Sequence, residues 1–138
     1  MLSLAIDLLR NDSERALLFA LARETFGGAP GWDDVHTLNV LEEDVVLVAH
    51  GEGAVAGYVA MHERPPAVVI DQVLVTDRAA ADEVGRRLVG YAEGYAIACH
   101  AERLEICVEP DNHPARALYD SLGFRPCASQ LLELALGR

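Results

Sequence analysis

The chain has 138 residues, of which 51% are hydrophobic and 24% charged, and its net charge is −11. This size and composition predict one compact domain spanning residues 1–138 and exclude a disordered chain. All eleven basic residues are arginine, which excludes a Schiff-base lysine. An acidic surface repels nucleic acid. The same surface attracts a cationic partner such as a polyamine, an aminoglycoside or a lysine-rich peptide, or it serves solubility alone.

Targeting and metal-binding signals are weak. No stretch approaches the roughly 18 consecutive apolar residues of a membrane span, and the first residues lack the basic start of a secretory leader. We therefore expect a cytoplasmic protein with no membrane partner. The three cysteines show no C-x-x-C spacing and the five histidines are scattered, so neither a disulfide framework nor a metal site is expected.

Hydrophobic patterning in the first half predicts a strand, two helices and two strands. Their predicted bounds are 2–9, 12–26, 33–41, 45–50 and 54–62. Asn11 and Glu14, three residues apart, form a capping signature for the first helix. The Gly51-Glu52-Gly53 sequence indicates a hairpin between the last two strands.

The second half begins with a turn at Pro65-Pro66, followed by a strand over 67–76 that is apolar enough to lie centrally in a covered sheet. A helix over 80–100, an alternating strand over 104–108, a helix within 111–124 and a final strand over 130–136 follow. With a short strand after Phe124, the order is β-α-α-β-β-β-α-β-α-β-β. This order predicts an α/β fold with a mixed sheet.

Residues 111–124 carry the most specific pattern. Asp111, Asn112 and Pro114 favour a helix start, and Gly123 favours a left-handed helix end. Ala115, Leu118, Tyr119 and Leu122 form one apolar stripe between them. On this pattern alone, Tyr119 is as readily a core aromatic as a functional residue.

The same segment resembles the GNAT superfamily of acyl-CoA-dependent N-acetyltransferases through the motif N-x-x-A-x-x-L-Y-x-x-x-G-F. The matching residues are Asn112, Ala115, Leu118, Tyr119, Gly123 and Phe124. The resemblance covers nearly the whole chain and implies a mixed, mostly antiparallel sheet of about seven strands with about four helices. It also implies that Asn112 contacts the pantetheine arm of acetyl-CoA, and that Tyr119 protonates the leaving thiolate.

The rest of the cofactor site is implied less completely. Val73, Leu74 and Val75 match the strand whose backbone pairs with pantetheine in the family. Residues 80–85 occupy the pyrophosphate loop, [QR]-x-x-G-x-[GA], of which only Gly85 remains. The resemblance assigns Val84, Gly85, Arg86 and Arg87 to this loop.

The loop also carries the acids Asp82 and Glu83, which would repel phosphate or cap the helix themselves. Arg78, Arg86 and Arg87 would bind phosphate or form surface ion pairs with the neighbouring acids. The sequence leaves both alternatives open.

Two carboxylates are candidate bases. Asp71 interrupts an apolar strand, where an unpaired carboxylate is costly and needs a partner or a task. Glu109 is the second candidate, and Cys107 stands where some relatives carry a glutamate base. By resemblance, Trp32, Asp33 and Asp34 flank the acceptor pocket and suit a cation, although a helix cap with a packed aromatic suits them equally.

These residues predict transfer of an acetyl group from acetyl-CoA to a primary amine of a small molecule or peptide, by direct attack in a ternary complex. The alternatives are a catalytically silent GNAT-fold binding module and an enzyme that transfers a longer acyl group. By resemblance, the apolar strand over 130–136 would allow two copies of the chain to pair as a homodimer.

Overall fold

The computed structural model describes residues 4–28, 33–77, 80–108, 112–127 and 131–136. The elements and their bounds are β1 Ala5–Leu8, α1 Asp12–Phe26, α2 Asp34–Glu43, β2 Val45–His50, β3 Val55–Arg64, β4 Ala67–Val75, α3 Ala81–Ala98, β5 Arg103–Cys107, α4 His113–Ser121, β6 Arg125–Pro126 and β7 Leu131–Ala135. The predicted order is confirmed. Most predicted bounds differ by one or two residues, as expected where helix ends fray and strands lose partners.

The strands form one sheet in the order β1-β2-β3-β4-β5-β7-β6. Only β4 and β5 are parallel, because α3 connects them as a crossover. This confirms the predicted mixed, mostly antiparallel sheet. β7 lies between β5 and β6, and the two-residue β6 pairs with it at Leu132 and Glu133. None of the described helices is long and apolar enough to cross a membrane.

Helices cover both faces of the sheet, and side chains alternate between them along β3. Tyr58 and Ala60 join the core under α1 and α2, whereas Val59 and Met61 join the core under α3 and α4. We call these the α1/α2 face and the α3/α4 face. Since β4 contributes residues to both cores, its predicted central, covered position is confirmed.

The predicted cap of α1 forms, with one change of partner. The Asn11 side chain accepts a hydrogen bond from the Glu14 backbone N–H, as the pattern predicts. The Glu14 carboxylate accepts from the Arg10 backbone N–H at 3.0 Å and pairs with the side chains of Arg10 and His50. The hydrogen bond from the Arg10 side chain is the main reason that the pKa of Glu14 falls to about 2. This network fastens the start of α1 to the end of β2.

Candidate functional site

The sheet opens between its two parallel strands. Pairing of β4 with β5 runs from Ala67↔Arg103 to Ile70↔Ile106. Beyond Ile70, β4 continues to Val75 with β3 as its only paired neighbour among the described residues. Within the described ranges, backbone groups on the β5 side of residues 71–75 therefore form a free strand edge, and such groups need a partner. The sheet thus presents an edge on which an extended ligand with amide groups can pair.

A β-bulge stands at the point where the opening begins. Ala60 of β3 faces Gln72 and Met61 faces Ile70, so Asp71 is the extra residue of β4. Tyr58 Oη donates a hydrogen bond to Gln72 Oε1 at 2.7 Å, and Gln72 Nε2 donates to Thr37 Oγ1 of α2 at 3.2 Å. These bonds hold the bulge against the α1/α2 face. Bulges are used in this way to aim a side chain.

Three polar side chains meet at the bulge. Atoms of Asp44, His62 and Asp71 lie within 4.8 Å of one another. They come from the end of α2, from β3 and from the bulge of β4. His62 Nδ1 lies 2.7 Å from Asp71 Oδ2, and since a carboxylate only accepts, the imidazole donates. Asp71, predicted from its cost in an apolar strand, therefore has a charged or polar neighbour on each side.

Asp44 is the least compensated acid of this cluster. One of its oxygens, Oδ2, is buried without a hydrogen-bond partner in the described part of the chain. Burial, followed by the effects of Asp71 and then of Glu43, raises the pKa of Asp44 to about 8. Two carboxyl groups side by side disfavour double ionisation in this way.

The cluster has the composition of a metal site but not its spacing. Its oxygen and nitrogen donors are of types that divalent ions accept. However, the 2.7 Å between His62 and Asp71 is shorter than the spacing of about 3.3 Å between two ligands of a tetrahedral zinc ion. The observed arrangement is therefore that of a hydrogen-bonded group.

Tyr119 lies on the opposite face of the sheet. Its side chain packs in the α3/α4 core and is 5% exposed. Its ring meets the ring of Phe124 edge-on, with centroids 5.6 Å apart. Burial raises the pKa of Tyr119 to about 12, so the phenol remains protonated throughout the neutral range. The core-aromatic interpretation is confirmed, and the predicted role as an acid stays a prediction.

The start of α4 follows the predicted pattern. Asn112 is the N-cap, and its Oδ1 accepts a hydrogen bond from the Ala115 backbone N–H at 3.4 Å. This cap leaves the Asn112 Nδ2 as a donor. Gly123, at φ 97°, adopts the predicted left-handed conformation after the helix. Arg116 Nη1 donates to the Val108 carbonyl at 3.3 Å and so ties α4 to the end of β5.

The start of α3 shows what becomes of the acids in the loop. Asp82 Oδ2 accepts from Arg86 Nε at 2.9 Å, and Glu83 Oε2 lies 3.4 Å from Arg87 Nη2. The surface ion pairs that the sequence left open are confirmed for these two arginines. The N-cap, Ala80, makes no side-chain hydrogen bond to the helix amides. An unfilled helix N-terminus of this kind attracts anions.

The other residues assigned to the cofactor site differ in how deeply their side chains are buried. Val84 is buried in the α3/α4 core, so its backbone alone remains for a ligand. A Cβ on Gly85 would lie 3.1 Å from Leu118 Cδ2 of α4. Close packing of α3 on α4 therefore explains a glycine at this position without a bound phosphate. Val73 and Val75 are half-buried on the α3/α4 face, whereas Leu74 is buried on the other face.

Two of the residues predicted to flank the acceptor, Asp33 and Asp34, lie within the described ranges. Asp33 caps α2, accepting from the backbone N–H groups of Val35 and His36, which confirms the helix-cap alternative. Asp34 Oδ2 lies 3.9 Å from Arg23 Nε. Trp32, Arg78 and Glu109 lie outside the described residues.

Sequence reasoning missed Asp44 and His62. Neither belongs to a motif, and Asp44 is 18 and 27 residues from its two partners along the chain. Only the alternation of β3 could have placed His62 on the α1/α2 face, and nothing in the sequence reveals the bulge that turns Asp71 toward it.

Comparison with known proteins identifies the family. The profile of the acetyltransferase (GNAT) family matches residues 11–124. The chain belongs to the GNAT family. It is accordingly an N-acetyltransferase of a family that depends on acetyl-CoA, and the family acetylates amines. A sequence search of curated proteins gives no significant match.

Solved structures share the fold of this GNAT chain at low sequence identity. A chain described as a GNAT-family acetyltransferase from Desulfovibrio desulfuricans superposes with a TM-score of 0.84 at 14% identity, covering 98% of this chain and 100% of that one. The aminoglycoside 6′-N-acetyltransferase from Enterococcus faecium gives 0.79 at 12%, covering 97% and 98%. The ribosomal-protein-S18-alanine N-acetyltransferase from Escherichia coli gives 0.76 at 18%, covering 99% and 96%. At such identities the likeness concerns the fold.

Proposed function

We propose that this GNAT enzyme transfers an acetyl group from acetyl-CoA to a primary amine, and that the two substrates meet at the opening between β4 and β5. The observation that carries the proposal is the placement of the candidate groups. A buried phenol, Tyr119, lies on the α3/α4 face, and a carboxylate, Asp71, faces α2 at the bulge. A thioester inserted from one face and an amine approaching from the other would react without a covalent enzyme intermediate.

The donor side combines a strand edge with a helix start. The two amides of pantetheine would pair with the free edge of residues 71–75, as an added strand does. The pyrophosphate would then lie at the uncapped N-terminus of α3. Because Arg86 and Arg87 already offset Asp82 and Glu83, the acids weaken phosphate binding less than their charges alone suggest. Asn112 Nδ2 would donate to the pantetheine arm.

The acceptor side supplies the base. An amine is protonated at neutral pH and cannot attack until it loses a proton. Asp71 would take that proton, the amine nitrogen would bond to the acetyl carbon, and the carbon–sulfur bond would break. The products are the N-acetyl amine and CoA, with one proton released to solvent once Asp71 is ionised again.

Tyr119 would act on the departing sulfur. Its hydroxyl makes no hydrogen bond with any described residue and therefore remains available as a donor. A phenol whose pKa is about 12 is a weaker acid than an ordinary thiol. We therefore assign it mainly to hydrogen bonding with the developing thiolate, which receives the second proton lost by the attacking nitrogen as CoA leaves.

A cationic acceptor is the favoured class. The chain carries 22 acidic residues and 11 basic ones, and the carboxylates of Glu43 and Asp71 both act on Asp44 on the acceptor side. The Enterococcus relative is named for an aminoglycoside and the Escherichia relative for an alanine of ribosomal protein S18, so small-molecule and protein amines both occur on this fold. We also propose a cytoplasmic location, and a homodimer that sedimentation of the purified chain would test.

The test joins binding with turnover. Isothermal titration with acetyl-CoA should show saturable heat, and thiol release should follow the addition of spermidine, an aminoglycoside or a lysine-rich peptide. Tyr119→Phe should lower kcat at least about tenfold with an unchanged melting temperature. Tyr91→Phe, at an exposed tyrosine of α3, is the matched control.

The same assay separates the alternatives. Absence of heat at millimolar acetyl-CoA would contradict the proposal and favour a catalytically silent binding module. Binding and turnover with a longer acyl-CoA in preference to acetyl-CoA would replace the proposed donor. An unchanged rate in Tyr119→Phe would remove the phenol from the reaction.

A further inference from the structure

The cluster at the bulge contains more titratable groups than a single base requires. Asp44, His62 and Asp71 converge from three separate elements with atoms within 4.8 Å of one another. Two carboxylates at this distance repel each other, and the cost grows as water is excluded. A fold that places them together therefore needs a cation or a proton between them.

The hydrogen bonds indicate which of the two acids keeps the proton. His62 Nδ1 donates to Asp71 Oδ2 at 2.7 Å, and a hydrogen bond to a carboxylate favours its ionised form. Asp44 has no such donor, and its Oδ2 is buried without a partner in the described ranges. Asp44 also ends α2, where the negative end of the helix dipole disfavours a second negative charge. A proton on Asp44 turns an unpartnered acceptor into a donor toward Asp71.

We propose that Asp44 and His62 are positioning residues for Asp71: Asp44 keeps its proton at neutral pH and donates it to Asp71, while His62 donates to the second Asp71 oxygen. One ionised carboxylate is then held from two sides. The catalytic part of this inference rests on the proposed function, since Asp71 takes the proton of the acceptor amine there. The shared proton itself does not depend on that function.

Charged groups of the described residues also lie on the elements around the cluster. On α2 the nearest is Glu43, whose charge adds to the effect of Asp71 on Asp44. On α1, Arg15 donates to the Leu41 carbonyl at 3.1 Å and pairs with Asp12. On β5, Glu105 is neutralised by Arg64 and Arg103. His62 and Asp71 are therefore the groups that respond directly to the state of Asp44.

The experiment follows thermal stability against pH with a chelator present throughout. With a pKa of about 8, folded Asp44 keeps its proton at a pH where the unfolded chain has lost it. Its contribution to stability is complete below the ordinary aspartate pKa of about 4 and is lost as the pH rises to about 8. Asp44→Asn removes this loss, so its melting temperature should gain on that of the parent by several degrees between about pH 5 and about pH 9.

Two further variants distinguish a shared proton from a packing effect. Glu43→Gln removes a neighbouring charge of the same sign and should show a much smaller pH dependence. In an Asp71→Asn background, the gain from Asp44→Asn should shrink, because the carboxylate that receives the proton is gone. A gain that is constant with pH, or equal in both backgrounds, would overturn the proposal.

Turnover supplies the readout of positioning. Asp44→Asn should keep kcat within about tenfold of the parent and lose the inflection of kcat/KM near pH 8, whereas Asp44→Ala should lower kcat further because nothing orients Asp71. Retention of the parent inflection in Asp44→Asn would contradict the positioning role. If no amine is acetylated by the parent, the proposed function fails, and the stability measurements still decide the shared proton.

Discussion

The two halves of β4 differ in their partners and consequently in their roles. Residues 67–70 pair with β3 on one side and β5 on the other and are buried. Residues 71–75 begin with the unpaired bulge residue Asp71, and in the described part of the chain residues 72–75 pair only with β3. One strand thus supports the core first and the site afterwards. The change occurs where pairing with β5 ends, because a polar side chain is tolerated there.

The largest effect on stability is expected in the first half. Ile70 is 1% exposed and packs in the α3/α4 core, so Ile70→Ala should lower the free energy of unfolding by about 2–5 kcal/mol. Val73→Ala, on the same face of the second half, should cost less because Val73 is only partly buried. Urea denaturation measures both. Equal losses would show that the two halves support the core alike.

The largest effect on activity is expected in the second half. Asp71→Asn keeps the shape of the side chain and removes the base, so kcat/KM should fall about 100-fold or more. Its melting temperature should change by only a few degrees, because the asparagine oxygen still accepts one of the two hydrogen bonds that Asp71 receives. Asp7→Asn, an exposed aspartate of β1, serves as the control. A parent-like rate would place the base elsewhere.

Glu105, a buried acid beside the first half of β4, should show the opposite of Asp71: its substitution should lower stability and spare activity. Glu105, opposite Val69, has a side chain that is 3% exposed and accepts hydrogen bonds from Arg64 and Arg103. Burial works to raise its pKa, but the two guanidinium groups outweigh burial and hold the pKa below its usual value. Glu105→Gln should therefore destabilise the fold by about 1–3 kcal/mol and leave kcat/KM little changed.

The destabilisation caused by Glu105→Gln should depend on pH in a defined direction. Because the folded pKa of Glu105 is lowered, its stabilisation is complete above the ordinary glutamate pKa of about 4.5 and disappears as the pH falls further. The difference in unfolding free energy between the parent and Glu105→Gln should therefore narrow in acid. A difference that widens in acid would contradict the assignment.

The smallest expected effect lies at the start of α3, which the free edge of β4 leads toward. Asp82 is exposed and already paired with Arg86, so Asp82→Asn should tighten acetyl-CoA binding only a few-fold, by less than about 1 kcal/mol. Titration at low and high salt measures this, and the gain should vanish at high salt. An equal gain at both salt concentrations would exclude a charge effect.

The sequence predicts the fold better than the site, for physical reasons. Hydrophobic periods of two and 3.6 residues locate the strands and helices, and Asn112 and Gly123 mark the ends of α4 within two residues. Asp71 could be singled out because a carboxylate in an apolar strand needs a partner. Its partners, Asp44 and His62, could not, because the bulge that brings them together shifts the register by one residue and leaves no local signal.

The arginines of α3 are a second case in which the sequence does not decide the partner of a side chain. The sequence places Arg86 and Arg87 four residues after Asp82 and Glu83, which suits helical ion pairs as well as a phosphate site. The structure shows the ion pairs, Arg86 with Asp82 and Arg87 with Glu83. Which of two possible partners a side chain contacts depends on the packing around it, and the periodicity of the sequence carries no information about that packing.

Amide hydrogen exchange along β4, with and without acetyl-CoA, tests the central claim most directly. If the pantetheine arm pairs with the free edge, acetyl-CoA should slow exchange within residues 71–75. Residues 67–70, which already have strands on both sides, should change little. Slowing confined to 67–70, or no change in either half at saturating acetyl-CoA, would contradict a site at the opening between β4 and β5.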